Sequence, residues 1–243
     1  MSGTVGASAG WMDEARAVRI ALEGSGLARL RLAVGALARL LYNPDDTVEV
    51  FFLGIALNGP QLPALMGRIA GDDKGLALLC ERPTIDSSTV DWQRLRALPV
   101  STLGGAYARY LDDNKLDPDL FQPPPALPEV PRWVAQRIRQ THDIWHVLTG
   151  YAPDVAGELA LQAFTYAQLR APSARLVAVL GTLFKSPRSA RLVWDGYVRG
   201  KAAAFLPVVR FEDLWERDLE ELRRELHIKP RRPHGRSAGP SLQ

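Results

Sequence analysis

A chain of 243 residues, 47% hydrophobic and carrying a net formal charge of only +3, has the material for one domain with a substantial core. Its single cysteine excludes a disulfide framework, and so small and scattered a charge excess, with no accompanying motif, excludes nucleic acid as a partner. No apolar run approaches the roughly 20 residues needed to cross a bilayer, and residues 1–10, rich in Gly, Ser and Ala, read as a disordered lead rather than an export signal.

Residues 11–42 have helical periodicity broken at Gly24-Ser25-Gly26, which predicts two amphipathic helices. Their arginines, Arg16, Arg19, Arg29, Arg31 and Arg39, suit either a solvated face or anionic lipid head groups. Asn43-Pro44-Asp45-Asp46 predicts a turn, with Asp46 and Glu49 forming a capping box for a helix over residues 47–58. That helix is apolar on every side and belongs to the core or to a lipid contact. Short helices follow over residues 61–70 and 73–81, the second stopped by Pro83, and Cys80 in its apolar run reads as a packed thiol in a reduced compartment.

Residues 84–100 mix turn chemistry with Trp92, Leu95 and Leu98, and a helix begins at Thr102. Gly104 and Gly105 at its start invite close approach of another backbone or a ligand. Pro118, Pro123, Pro124 and Pro125 make residues 112–128 a stiff irregular connector. A helical hairpin then runs from Val130 to about Arg170, turning at Gly150-Tyr151-Ala152-Pro153-Asp154. Residues 174–184 are apolar nearly all round and predict a buried helix, or one lining an apolar cavity. A helix through Trp194 and Tyr197 follows, then a final amphipathic helix opening at Phe211 and running through Leu226, with His227 as a charge at its C-terminal end. Residues 11–228 thus read as a single all-α domain, and residues 229–243 as a basic, disordered tail.

The hairpin carries the chemistry. His142 and His146 stand one helical turn apart, with Asp143 at the edge of the same arc, and two of the four histidines of the chain lie in this one turn. Val134, Ile138, Thr141, Trp145 and Leu148 form an apolar seam beside them, so the pair is half buried. Glu158 follows after eleven intervening residues, beside its own stripe of Val155, Leu159, Gln162 and Tyr166, and the hairpin returns it to the same wall. Two imidazoles and two carboxylates make a nitrogen and oxygen donor set suited to Zn²⁺, Fe²⁺ or Mn²⁺. A metal-free hydrogen-bond network is the structural alternative. Superficial likeness to H-E-x-x-H peptidases is weak, because the acid here is the shorter Asp143. Tyr107, Tyr110, Tyr151 and Tyr166 are candidate phenol donors, and Arg137 and Arg139 candidate carboxylate partners, Arg139 lying three residues before His142.

The stretch from His142 to Gly150, with Gly157-Glu158, resembles the signature of the coenzyme Q biosynthesis protein 4 family. Glu81-Arg82-Pro83, Leu98-Pro99, Tyr107-Ala108-Arg109-Tyr110-Leu111, Arg137-Ile138-Arg139 and Leu226-His227-Ile228 follow the family order, over about residues 30–228. The resemblance implies a multi-helix bundle with an apolar lipid-binding channel. It also implies a divalent metal held by His142, Asp143, His146 and Glu158, with Glu158, Asp143 and Arg139 as catalytic residues. The implied activity is loss of the carboxylate from a prenylated 4-hydroxybenzoate in ubiquinone synthesis, linked to hydroxylation of the same carbon. The implied alternative is a lipid-binding scaffold for other enzymes of that synthesis. A homodimer bound peripherally at a membrane surface is expected. Residues 1–29 have no clear counterpart in the family, and the absence of an Arg-rich, acid-poor leader favours a bacterial or processed form at the cytoplasmic face of an inner membrane.

Overall fold

The computed structural model describes residues 12–42, 47–120, 123 and 125–231, and among them every regular element is helical. The lead over residues 1–10, the predicted turn and Asp46 cap, and the tail from residue 232 lie outside the described residues.

Two helices, α1 (Glu14–Glu23) and α2 (Gly26–Tyr42), form where periodicity placed them, and Asp13 caps α1 by accepting a hydrogen bond from the Arg16 amide at 3.1 Å. With α3 (Thr47–Asn58) they enclose a small core of Ala17, Val18, Ala21, Leu32, Ala36 and Phe52, in which alanines let the helices approach closely. Glu49 is buried in α3 and pairs with Arg39 of α2 at 3.7 Å.

A larger core belongs to the rest of the chain. Around it lie α4 (Leu62–Ala70), α5 (Asp73–Glu81), α6 (Trp92–Ala97), α7 (Leu103–Asn114), α8 (Glu129–Thr149), α9 (Val155–Leu169), α10 (Pro172–Phe184), α11 (Ala190–Ala202) and α12 (Leu219–Glu225). Side-chain caps start five of them, from Asp72, Asp91, Thr102, Asp154 and Asp218. The close approach expected at the start of α7 is realised. A Cβ on Gly105 would collide with the Pro99 carbonyl oxygen, and one on Gly104 would press on Trp215. On α11, Gly196 likewise lies against the Ala160 carbonyl, which draws α11 tightly onto α9.

Three expectations are corrected. The final helix does not open at Phe211, which lies in a 3-10 turn. The Leu103 and Gly104 amides donate to the carbonyls of Arg217 and Trp215, and the Leu219 amide donates to that of Ser101. This pairing keeps the chain out of a helix until Asp218 caps α12. The α10 helix is not a buried one: only Ala174 and Ala178 are buried, while Leu183 is 62% and Phe184 80% exposed. Residues four apart share a helix face, so two alanines suffice to seat α10 while its larger side chains point outward. Cys80 is exposed rather than packed, because α5 turns its Leu78 face to the core and Cys80 lies about 200° round from Leu78. No helix among the described residues is long and apolar enough to cross a membrane.

Arg137 of α8 is buried in an ion pair with Glu212 and donates a further hydrogen bond to the Val209 carbonyl at 3.1 Å, tying the central helix to the C-terminal segment. Removing one member of a buried pair strands the other charge. Arg137→Ala is therefore expected to lower unfolding free energy by about 3 kcal/mol, measured by urea denaturation. An Arg137→Met, Glu212→Leu double variant should recover most of that loss.

Candidate metal centre

On α8, His142 and His146 meet edge to face, with ring centroids 5.0 Å apart and planes at 84°. The helix ends immediately after them at Gly150, whose φ of 72° is the left-handed conformation that glycine adopts at low cost, and its amide donates to the His146 carbonyl at 2.8 Å. The turn so made brings the Tyr151 carbonyl oxygen to 3.0 Å from His146 Nδ1. A carbonyl only accepts, so Nδ1 carries the proton and Nε2 is left with a lone pair for a metal or another proton.

The same turn sets Glu158. Asp154 caps α9 by accepting from the Gly157 amide at 2.7 Å, and a Cβ on Gly157 would run into the Ala152 carbonyl oxygen. Glycine before Glu158 is thus what allows the returning strand of the turn to pass so close. Glu158 Oε1 lies 3.0 Å from His146 Nε2 and Oε2 lies 3.5 Å from His142 Nε2. One ligand atom from each of the three residues falls within 4.8 Å of the others. His146 is 1% exposed, and its Nε2 is buried without an aligned hydrogen bond despite the nearby carboxylate. A buried nitrogen lone pair facing a carboxylate oxygen is unfavourable unless a metal ion or a proton stands between them. Two imidazoles and a carboxylate, one imidazole oriented by a backbone carbonyl, therefore fit a divalent metal of the Zn²⁺, Fe²⁺ or Mn²⁺ type.

Asp143 stands outside that three-residue group. Its Oδ1 lies 3.6 Å from Arg139 Nη1, and both side chains line the cavity onto which the cluster opens. Tyr110 of α7 stacks on His146, with centroids 5.5 Å apart and planes at 19°. Burial, then the charges of Asp143 and Glu158, push its phenol well above the ordinary tyrosine range, so it stays protonated. Burial opposes ionisation of Glu158, yet the neighbouring His142 and His146 outweigh it and hold its carboxyl far below the ordinary value.

The other sequence candidates lie elsewhere. Arg137 is consumed by Glu212, Tyr107 is buried between Trp92 and Trp215, and Tyr166 stacks on Tyr197. Tyr151 serves through its carbonyl. Its hydroxyl donates to Asp195 at 3.2 Å, and burial raises its phenol to about 12. A cavity of about 680 Å³ runs from His142, Asp143 and Glu158 to apolar walls of Phe51, Leu62, Leu65 and Leu169, between the two cores. The sequence offered residues 174–184 as a cavity lining, of which Ala174 alone serves, and it missed Phe51, Leu62, Leu65 and Leu169. The signal was the repeat of Glu158, Gln162, Thr165 and Leu169 on one face of α9.

The family model described as Coenzyme Q (ubiquinone) biosynthesis protein Coq4 matches residues 20–232. The chain belongs to the Coq4 family. The match begins about ten residues before the point at which the sequence alone shows the resemblance. The mitochondrial ubiquinone biosynthesis protein COQ4 homolog of Mus musculus is 33% identical over 214 residues, covering 86% of this chain and 80% of that protein. The Danio rerio counterpart is 36% identical over 205 residues, covering 82% and 75%. The crystal structure of a protein from Nostoc punctiforme ascribed to ubiquinone biosynthesis superposes with a TM-score of 0.67 at 25% identity, covering 82% of this chain and 95% of that one. The Coq4 family is one of ubiquinone biosynthesis, and this chain shares its all-helical fold.

Two outcomes are expected of this centre. In equilibrium dialysis against Fe²⁺, Mn²⁺ or Zn²⁺, His146→Ala should abolish high-affinity binding, and Asp143→Asn should weaken it less. In the metal-free protein, the depressed Glu158 carboxyl contributes stability relative to Glu158→Gln. That contribution is fully present above the ordinary carboxylate value of 4.5 and fades as pH falls below it. Urea midpoints of the two proteins followed into acid should converge.

Proposed function

We propose that this protein is a metal-dependent carbon–carbon lyase that removes the ring carboxylate from a prenylated 4-hydroxybenzoate during ubiquinone synthesis, the same ring carbon being hydroxylated when dioxygen and a two-electron reductant, which carries the second oxygen atom to water, take part. The observation that carries the reading is that the His142, His146 and Glu158 donor set opens, through His142 and Glu158, onto a cavity of about 680 Å³ whose walls are otherwise mostly apolar. An amphiphile with a carboxylated ring and a hydrocarbon tail matches that division.

His142, His146 and Glu158 would hold the ion, and we assign Asp143 as a further donor that reaches it by giving up its weak contact with Arg139. The bound cation would act as a Lewis acid, offsetting the negative charge that develops on the ring as the carboxylate leaves. Arg139 lines the same end of the cavity and keeps guanidinium donors beyond its 3.6 Å contact with Asp143, so it can orient the substrate carboxylate. As the bond to the carboxyl carbon breaks, carbon dioxide departs and the electron pair stays on the ring carbon. In simple decarboxylation a proton then replaces it, and the protonated phenol of Tyr110, at the same end of the cavity, is placed to supply one. The largely apolar wall excludes water and strengthens each of these charge interactions.

Outward apolar side chains on α10 and on α2, including Leu183, Phe184, Leu27 and Leu30, support peripheral attachment to a membrane carrying the substrate. In a bacterium that is the cytoplasmic face of the inner membrane, where a homodimer and other enzymes of ubiquinone synthesis would gather. The competing reading is a lipid-binding scaffold without turnover, favoured by the same exposed faces.

Mass spectrometry separates the two. Protein loaded with Fe²⁺, Mn²⁺ or Zn²⁺ and incubated in air with 3-geranyl-4-hydroxybenzoate should yield the decarboxylated ring, with or without an added oxygen. Glu158→Ala should lower turnover by at least a hundredfold with the fold intact. Bound ligand that stays unchanged with every metal would establish the scaffold reading instead.

A further inference from the structure

Along the cavity wall, α9 presents Glu158, Gln162, Thr165 and Leu169 in one row, because offsets of four, seven and eleven residues return to within about 40° of the first. The chemistry of the row steps from carboxylate to amide to hydroxyl to hydrocarbon. Gln162 stands ~6 Å and Thr165 ~10 Å along the helix from Glu158. Past Leu169 the wall continues through Ala171 and Ala174.

Thr165 is unlike other threonines within these helices. Thr141, Thr149 and Thr182 each donate a hydrogen bond to the carbonyl four residues back, at 2.9, 2.7 and 2.6 Å. Thr165 is only 7% exposed, and its hydroxyl oxygen is buried with no hydrogen-bond partner. The polar pair farther along the same cavity, Asn58 and Ser173, is by contrast mutually satisfied, with Asn58 Nδ2 donating to Ser173 Oγ at 2.8 Å and the Ser173 amide donating back to Asn58 Oδ1 at 3.0 Å. A buried hydroxyl without a partner is costly, and it persists in a cavity wall when the missing partner arrives with a ligand.

We propose that Gln162 and Thr165 form a specificity-determining subsite that recognises an oxygen substituent on the substrate ring, placed across the ring from the carboxylate. The inference rests on the functional reading above, which puts the carboxylate at the Arg139 and Glu158 end. A benzoate ring laid along α9 from that end spans about one helical turn, so its far oxygen reaches the amide and hydroxyl steps of the row. A prenyl tail on the neighbouring ring carbon then leaves past Leu169 into the apolar part of the cavity. Glu158 and Arg139 thus read the end of the substrate that reacts, while Gln162 and Thr165 read whether its ring carries the oxygen.

The test compares binding of 3-geranyl-4-hydroxybenzoate with that of 3-geranylbenzoate, which lacks only the ring hydroxyl, by stopped-flow tryptophan fluorescence on the metal-loaded protein, read before turnover. Wild type should favour the hydroxylated ligand about tenfold. Thr165→Val, nearly the same shape without the hydroxyl, should bring the two affinities within about twofold, while Thr165→Ser keeps the preference. The melting temperature of Thr165→Val should not fall, because the hydroxyl it removes has no partner in the free protein. An unchanged preference in Thr165→Val would overturn the subsite and leave the functional reading standing. Wild type that binds neither ligand would overturn both.

Discussion

The hydrogen bond between His146 Nδ1 and the Tyr151 carbonyl is the constraint on which the rest of the centre depends. It exists only because α8 stops at Gly150 and the chain doubles back, and the stop is held from outside the hairpin. Arg223 of α12 donates to the Leu148 carbonyl at 2.9 Å and to that of Val147 at 2.6 Å, and Arg199 of α11 donates to the Thr149 carbonyl at 2.9 Å. The Arg231 amide adds a bond to Thr149 at 2.8 Å. Guanidinium groups on the free carbonyls of a helix C-terminus satisfy them and favour the dipole at once. The C-terminal third of the chain, remote from the histidines in sequence, thereby fixes the turn that orients His146.

From that turn the geometry propagates in both directions. Backward along α8, an orientation imposed on His146 is transmitted to His142 through their edge-to-face contact, while Tyr110 closes the other face of the His146 ring. Forward, Asp154 and Gly157 set the first turn of α9, and Glu158 follows directly. A carboxylate with 42% of its side chain exposed is held by what surrounds it rather than by burial. Gly196 holds α11 against α9 at Ala160, so the wall carrying Glu158, Gln162 and Thr165 is backed by a close helix contact. A site built on two packed helices keeps its side chains in place better than one built on loops.

Local rules carried far through this fold. Capping residues, glycine stops and 3.6-residue periodicity located α1, α4, α5, α7, α8 and α9, because each of those signals acts within a few residues. His142, His146 and Glu158 were legible for the same reason, being one turn and one short hairpin apart. What was not legible depends on distant partners. Apolar periodicity suggested a helix opening at Phe211, but the amide of Leu103, over a hundred residues away, claims the Arg217 carbonyl. Arg137 and Arg139 look alike in sequence. Only the fold reveals that one is consumed by Glu212 while the other faces the cavity. Hydrophobicity marked α10 as interior, yet two alanines proved enough to seat it, and composition does not say which face of such a helix is left outside.

The exposed side of α10 and the cavity have a common origin. The chain builds two cores, one around Phe52 in α1 to α3 and one around Trp145 and Phe164, and the cavity lies where their walls meet. Both α2 and α10 pack against α3, and each turns large apolar side chains outward. Filling the cavity with side chains would fuse the cores and stabilise the fold, since empty space in an interior forfeits packing energy. Retaining about 680 Å³ of largely apolar space next to a half-buried charged cluster runs against folding stability on both counts. Departures from the most stable arrangement that coincide in one place mark the part of a protein shaped by its ligand. Here they coincide along a single face of α9.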